Sequence, residues 1–245
     1  MTLSLDNKIA LITGAGAGIG KSTAALFARE GAIVYAADLK GLEWIEHENL
    51  EEGKIIPLQL DICDFTAVKT AVMSIKKEYG RIDILANIAG LISYEMMPMI
   101  SYDFFRKMIE VNVVALIHLM TLVSRIMQRQ QNGSIINMAS MVGVKGAKGQ
   151  LSYSATKGAV IAATKSAAKE LAEYHIRVNA IAPGMVGSER FKAVLEEKFA
   201  QRINDIPFGR LADPGEIANL CLFLAADSSS YLTGQVIGVD GGAVI

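Results

Sequence analysis

The chain has 245 residues, 51% of them hydrophobic, with 24 basic against 25 acidic side chains and a formal charge of -1. That length suits one α/β domain, spanning 1–245, with a large core, and the near-zero charge argues against a nucleic-acid or anionic-membrane surface. The start, Met1-Thr-Leu-Ser-Leu-Asp-Asn-Lys8, lacks the basic-then-apolar plan of a signal peptide, no apolar run reaches the ~18 residues of a membrane span, and two cysteines make no disulfide framework.

A cytoplasmic protein with buried thiols at Cys63 and Cys221 is therefore expected. Lys8-Ile-Ala-Leu-Ile-Thr13 reads as a short strand, Thr13-Gly-Ala-Gly-Ala-Gly-Ile-Gly20 as a loop, and Lys21 to Arg29 as a helix. The spacing is Gly14-x-x-x-Gly18-x-Gly20 and not Gly-x-Gly-x-x-Gly, because Ile19 and Lys21 occupy the third-glycine positions of the two possible frames. Glycines permit a tight turn and close backbone approach, and the helix start offers free N–H groups to a pyrophosphate. Four glycines in seven residues at this junction make a plain turn the weaker reading.

Ala32 to Ala37 is a second strand ending at Asp38. An acid about twenty residues past such a loop can hold the adenosine ribose hydroxyls and repel a 2′-phosphate. Ala17 and Leu39 supply no cation and Lys40 is the nearest one, so NAD(H) is favoured over NADP(H), by on the order of a hundredfold. Gly41 to Glu52 is a short acidic helix or loop carrying Trp44, with no chemistry assigned. Lys54 to Leu60 is a third strand, whose polar end Asp61-Ile62 would lie beside an adenine. Asp64 caps a helix running to Tyr79. Ile82 to Ala86 is a fourth strand, ending Asn87-Ile-Ala-Gly90. Strand and helix alternate in the rhythm of a doubly wound, mostly parallel sheet with helices on both faces.

Leu91 to Met99 forms a loop over the strand ends, where Met96, Met97 and Met99 line a substrate pocket or fill space beneath it. Tyr102 to Gln130 is long and mostly helical, and sets Asn112 among apolar neighbours. A buried Asn needs partners; here it is placed to hold a water near Lys157. His118 reads as a satisfied or interface histidine, and His47 and His175 have no neighbours at ligand spacing, so no metal site is expected.

Gly133 to Ala139 is a buried strand running into Ser140 and a Gly-rich loop. The following helix carries Tyr153 and Lys157, four apart and so on one face. A free phenol titrates near pH ~10, and a nearby ammonium lowers that value. A tyrosine tuned this way exchanges a proton with a carbonyl or alcohol oxygen, which Ser140 could hold by a hydrogen bond. A chance Tyr-x-x-x-Lys is common, and only its company raises this one. His175 to Ala182 is a sixth strand, and Pro183-Gly184-Met-Val186-Gly-Ser188 turns the chain. Glu189 to Ile206, with Arg190 and Arg202, reads as an amphipathic flap over substrate. Asp213-Pro214-Gly-Glu216 opens a helix with a capping box, and Gln235 to Asp240 completes seven strands.

Thr13-Gly-x-x-x-Gly18-Ile-Gly20, Asn87-x-Ala-Gly90, Asn112, Ser140, Tyr153-x-x-x-Lys157 and Pro183-Gly184 together resemble the short-chain dehydrogenase/reductase family, in order and along essentially the whole chain. The resemblance implies a Rossmann-type fold and metal-free hydride transfer at nicotinamide C4. It implies Tyr153 as acid/base, Lys157 lowering its pKa and holding a ribose, Ser140 orienting substrate, and Asn112 anchoring a relay water. It also implies Gly14, Gly18, Ile19 and Gly20 at the pyrophosphate, Asp38 at the ribose, and Asp61 and Ile62 at the adenine edge. Asn87 and Gly90 fall beside the cofactor ribose, and Pro183, Gly184, Val186 and Ser188 at the nicotinamide. Such proteins often form homotetramers through the long helices and last strand. Ile88 and Ser188 depart from the commonest pattern, where Asn and Thr are usual.

Within the family, Val142 to Gln150, Arg210 to Ala218 and Gly241-Gly242 look most like 3-oxoacyl-carrier-protein reductases. That implies an acyl-thioester carbonyl substrate and a basic surface for an acidic carrier. Arg129 would serve, whereas the second basic position falls on Tyr174, with His175 and Arg177 close by. Those reductases usually take NADPH, which Asp38 opposes, so an NAD-dependent dehydrogenase of a small hydroxy acid, sugar or polyol is the alternative. A non-catalytic NAD-binding protein is disfavoured because the acid–base residues are all present. A hydrolase using Ser140 is disfavoured because no histidine can be brought near it.

Overall fold

The computed structural model describes residues 4–48, 50–187, 203 and 205–243. Seven strands, β1 (Ile9–Thr13), β2 (Ile33–Asp38), β3 (Lys54–Gln59), β4 (Ile84–Asn87), β5 (Gly133–Met138), β6 (Ile176–Pro183) and β7 (Val236–Val239), form one sheet in the order β3-β2-β1-β4-β5-β6-β7. Every adjacent pair is parallel, so the sheet is wholly rather than mostly parallel. The order reverses between β1 and β4, and a crevice opens outside the carboxyl ends of such strands.

Strand side chains alternate between two layers. Ile9 and Leu11 enter a core with α2 (Phe65–Tyr79), α4 (Ala115–Gln130) and α6 (Leu151–Leu171). Ala10 and Ile12 enter the opposite core with α1 (Gly18–Arg29) and α7 (Pro214–Ala225). Burial on both faces explains why β1 reads as an apolar run, and β5 and β6 are likewise buried along nearly their whole length. Asp64 caps α2 by accepting from the Thr66 and Ala67 amides, and Asp213 and Glu216 close the expected capping box on α7.

Tyr102 to Gln130 is not one α-helix. It divides into α3 (Tyr102–Ile109), a π-helical turn over Glu110–Val114, and α4. The wider turn lies where Asn112 must bond outside its own helix; such bulges favour functional sites. By length and hydropathy this 29-residue run could cross a membrane, against the expectation that no run is long and apolar enough. Here Leu116, Leu119, Val123 and Met127 of it pack in the sheet core.

The Gly-rich loop after Ser140 also proves partly helical. Met141–Lys145 forms α5, with Ser140 as N-cap accepting from the Val142 amide. Cys221 is buried as expected, but Cys63 is half-buried beyond β3. Ser188 and most of the expected flap, including Arg190 and Arg202, lie outside the described residues.

Candidate active site

Small residues bring the pieces together. A Cβ on Gly143 would lie 2.7 Å from the Lys157 Cβ, so only glycine lets α5 sit directly on α6. That approach places Ser140 in hydrogen-bond contact with the Tyr153 side chain. Lys157 Nζ lies 5.8 Å from the Tyr153 ring centroid and donates to the Met138 carbonyl at 2.6 Å.

Asn112 is almost fully buried and satisfied by protein. Its Oδ1 accepts from the Leu91 amide at 2.7 Å, and its Nδ2 donates to the Leu91 carbonyl at 2.8 Å and to Thr156 Oγ1 at 3.0 Å. Thr156 in turn donates to the Tyr153 carbonyl at 2.8 Å. Asn112 thus ties the loop after β4 to the Tyr153 turn of α6. A Cβ on Gly90 would lie 3.3 Å from Asn112 Oδ1 and 3.4 Å from Lys157 Nζ, so these three positions converge. Thr156 escaped the sequence reading. Its signal was present, since it sits between Tyr153 and Lys157 on the same helix.

The electrostatics differ from the expected tuning. Burial pushes the Tyr153 phenol up to about 12; the Ser140 hydrogen bond works against that, and Tyr94 reinforces it. Burial alone pushes the Lys157 amine down to about 8. Lys157 bonds a main-chain carbonyl and not the phenol, so desolvation outweighs its attraction in this state. A protonated tyrosine at neutral pH is suited to give a proton to a ketone oxygen, and needs a higher pH to accept one.

The glycine loop has the features of an anion cradle. Gly14 (φ 74°) and Gly18 (φ 54°) adopt left-handed conformations. A Cβ on Gly20 would overlap the Gly14 carbonyl. Ala17 begins α1 with no side-chain cap, and its first turn holds no acid, so the Gly18, Ile19 and Gly20 amides are free for an anion. Asp38 ends β2 with Oδ2 accepting from the Gly16 amide at 2.9 Å. At the end of β4, Asn87 Nδ2 donates to Asn137 Oδ1 at 2.9 Å. Asn87 Oδ1 is buried without a partner among the described residues. These observations fit a dinucleotide lying across the sheet switch point.

The remaining expected residues divide. Asp61 Oδ1 accepts from the Cys63 amide at 2.9 Å, holding the turn after β3, and Ile62 packs against the core. Pro183 ends β6, and the Gly184 amide donates to Val239 at 2.9 Å. Val186 bridges to Ala212, pairing this turn with the approach to α7. Thr13, unassigned in the sequence, accepts from the Ile88 and Ala89 amides at 3.2 and 3.3 Å and fixes the crevice wall.

On the substrate side, the Glu95 amide donates to Gly149 at 2.8 Å and Glu95 bridges to Gln150, just before Tyr153. Glu95 Oε2 is buried without a partner among the described residues. Met96, Met97 and Met99 follow, largely exposed. Arg177 cannot join a carrier surface, because its guanidinium donates to the Leu224 carbonyl and Ser229 Oγ at 2.7 and 2.8 Å. Arg129 is exposed in the last turn of α4. Among the described residues no three His, Cys, Asp or Glu side chains gather as a metal-binding group.

The family described as enoyl-(acyl carrier protein) reductase matches residues 14–244. The 3-oxoacyl-(acyl-carrier-protein) reductase of Thermotoga maritima is 42% identical over 252 residues, covering 99% of this chain and all of that one. The enzyme of the same name from Vibrio harveyi is 36% identical over 242 residues, covering 98% of each. Among solved structures, levodione reductase superposes with a TM-score of 0.92 at 29% identity, covering 97% of this chain and 98% of that one.

Proposed function

The chain belongs to the short-chain dehydrogenase/reductase family, and from that membership we propose that it interconverts a secondary alcohol and a ketone using NAD(H) in preference to NADP(H), with Tyr153 as acid/base. When bound, the nicotinamide supplies or accepts the hydride. The observation that carries the reading is the convergence of Ser140 and Lys157 on Tyr153, held by the Asn112–Thr156 tie to α6.

Ser140 holds the substrate oxygen toward the Tyr153 hydroxyl. In reduction Tyr153 starts protonated and gives its proton to that oxygen. Lys157 lies alongside to meet a ribose hydroxyl and stabilise the phenolate left behind. The α1 amides and Asn87 Oδ1 would hold the remainder of the dinucleotide, with Asp61 and Ile62 at the adenine edge, Gly90 beside the ribose, and Pro183, Gly184 and Val186 toward the nicotinamide. Asp38 takes the adenosine ribose, and its charge disfavours a 2′-phosphate.

The substrate class follows the kinship to 3-oxoacyl-carrier-protein reductases, with an acyl-thioester ketone as first candidate. Glu95 supports a second reading. A buried carboxylate oxygen without a partner is costly, and a substrate hydroxyl could satisfy it, as in a hydroxy acid, sugar or polyol. The protein is further proposed to be cytoplasmic, a single domain and a homotetramer.

Titration with NADH and NADPH at one salt concentration, followed by turnover of acetoacetyl-CoA and a polyol panel, tests the reading. NADH is expected to bind more tightly. Replacing Tyr153 with Phe should leave NADH affinity within about twofold and reduce turnover by ~10²–10⁴-fold. Near-normal turnover of that variant would remove Tyr153 from the chemistry.

A further inference from the structure

Trp44 is the only tryptophan in the chain, and no role assigned so far uses it. It lies in the 3-10 turn Glu43–His47 beyond β2. Its indole N–H donates to the Ala15 carbonyl of the glycine loop at 3.1 Å. Lys21 Nζ stands 5.4 Å from the ring centroid, within cation–π range.

The chain between Asp38 and Trp44 is pressed against the same loop. A Cβ on Gly16 would overlap the Lys40 carbonyl and lie 3.0 Å from the Asp38 carboxyl group. Gly41 holds φ 78° with its face toward Gly16, where an added Cβ would lie 3.3 Å from the Gly16 carbonyl oxygen. The Ala15 amide donates to Ala37 at 3.1 Å, and the Gly16 amide to Asp38 Oδ2 at 2.9 Å. Asp38 Oδ1 also accepts from the Lys40 amide at 3.4 Å. Residues 38–44 and the glycine loop therefore form one bonded unit, fastened at its inner end by Asp38 and at its outer end by the indole.

We propose that Trp44 is a latch that selects the cofactor: it keeps residues 38–44 on the glycine loop, so that Asp38 stays turned toward the Gly16 amide and a nucleotide bearing a 2′-phosphate is refused. The proposal rests on the NAD(H) reading above. A carboxylate excludes phosphate only while it is held in place. On a loosened segment Asp38 swings outward, and Lys40, two residues on, brings its ammonium to the position the phosphate would take. The latch denies both movements. Selectivity on this view comes from the charge of Asp38 together with the indole hydrogen bond six residues later.

The test is calorimetric titration of NADH and NADPH into the wild type, Trp44→Phe, Asp38→Asn and the double variant. Phenylalanine keeps the aromatic bulk and removes the N–H. Trp44→Phe is expected to lower the NADH-over-NADPH affinity ratio about tenfold while leaving the unfolding temperature of the nucleotide-free protein little changed. In the Asp38→Asn background the same substitution should change the ratio less than about twofold, the coupling expected of residues that act through one another. Gly41→Ala strains the segment without touching the indole and should lower the ratio too, which keeps the test decisive if Trp44→Phe does not fold. A wild-type ratio in both Trp44→Phe and Gly41→Ala overturns the latch. Equal effects of Trp44→Phe with and without Asp38 also overturn it. A wild type that prefers NADPH overturns the NAD(H) reading and the latch with it; NADH preference with an unmoved ratio in the variants removes the latch alone.

Discussion

Lys157 is 3% exposed and has no carboxylate partner among the described residues, and burial holds its amine down to about 8. The folded state therefore gives up this proton about two pH units before the unfolded chain does, whose lysines titrate near ~10.4. Between those values the unfolded chain binds more protons, and stability from this group rises with pH across the window. Below pH 8 the full cost of a buried ammonium is present. In the nucleotide-free protein, the unfolding temperature should climb from pH 7.5 to 9.5 more steeply for the wild type than for Lys157→Met. Parallel curves would show that the amine is better solvated than its surroundings imply. Tyr153, held up to about 12, acts the other way only above the ordinary phenol value near ~10. That these two residues share a helix face was readable from their spacing; the direction of their shifts was not, because both follow from burial that the fold supplies. Asn112 shows the same division. Its need for partners was evident in the sequence, but Leu91 and Thr156 are 21 and 44 positions away, and the hydrogen bonds go to protein groups.

Elements were legible where local chemistry decides them. Asp64, Asp213 and Glu216 cap as their spacing predicts, since a cap is an interaction within one turn. Strand ends differed from the sequence reading by a residue or two, as ladders depend on neighbours distant in sequence. The π-helical turn at Glu110–Val114 and the short helix Met141–Lys145 were not foreseen. The first is set by the external bonding of Asn112. The second is allowed by the contact of Gly143 with α6. At the glycine loop, backbone geometry yields a firm expectation. Gly20→Ala places a methyl group on the Gly14 carbonyl, so the loop must open. Nucleotide affinity should fall at least about tenfold, read by titration, while far-ultraviolet dichroism stays close to wild type. Undiminished affinity would mean that the loop does not form the pyrophosphate cradle.

At the scale of the molecule, some surface is more apolar than a solitary chain requires. Val114 and Ile117 on the π-turn and α4 are 36% and 42% exposed, beside Phe65, which stacks on His118 at 4.1 Å. His118 Nε2 is buried without a partner among the described residues, and β7 is the last strand of the sheet. The long-helix surface and the β7 edge are the two places where the proposed tetramer would form. Light scattering should give about four times the 26.3 kDa chain mass, and Ile117→Glu should lower it by placing charge in a desolvated contact. A monomeric wild type would end the proposal.

The sequence by itself determined the strand-and-helix order, the caps and the glycine loop, since each depends on neighbours a few residues apart or on residue type alone. Only the tertiary structure decided that the whole sheet is parallel and that Asn112 ties the loop after β4 to the Tyr153 helix. It also decided that Arg177 is spent on α7, and that the Trp44 indole and the Asp38 carboxylate both bond to the glycine loop. Those outcomes depend on contacts between segments far apart in the chain and on the water that packing removes, and no local pattern encodes either.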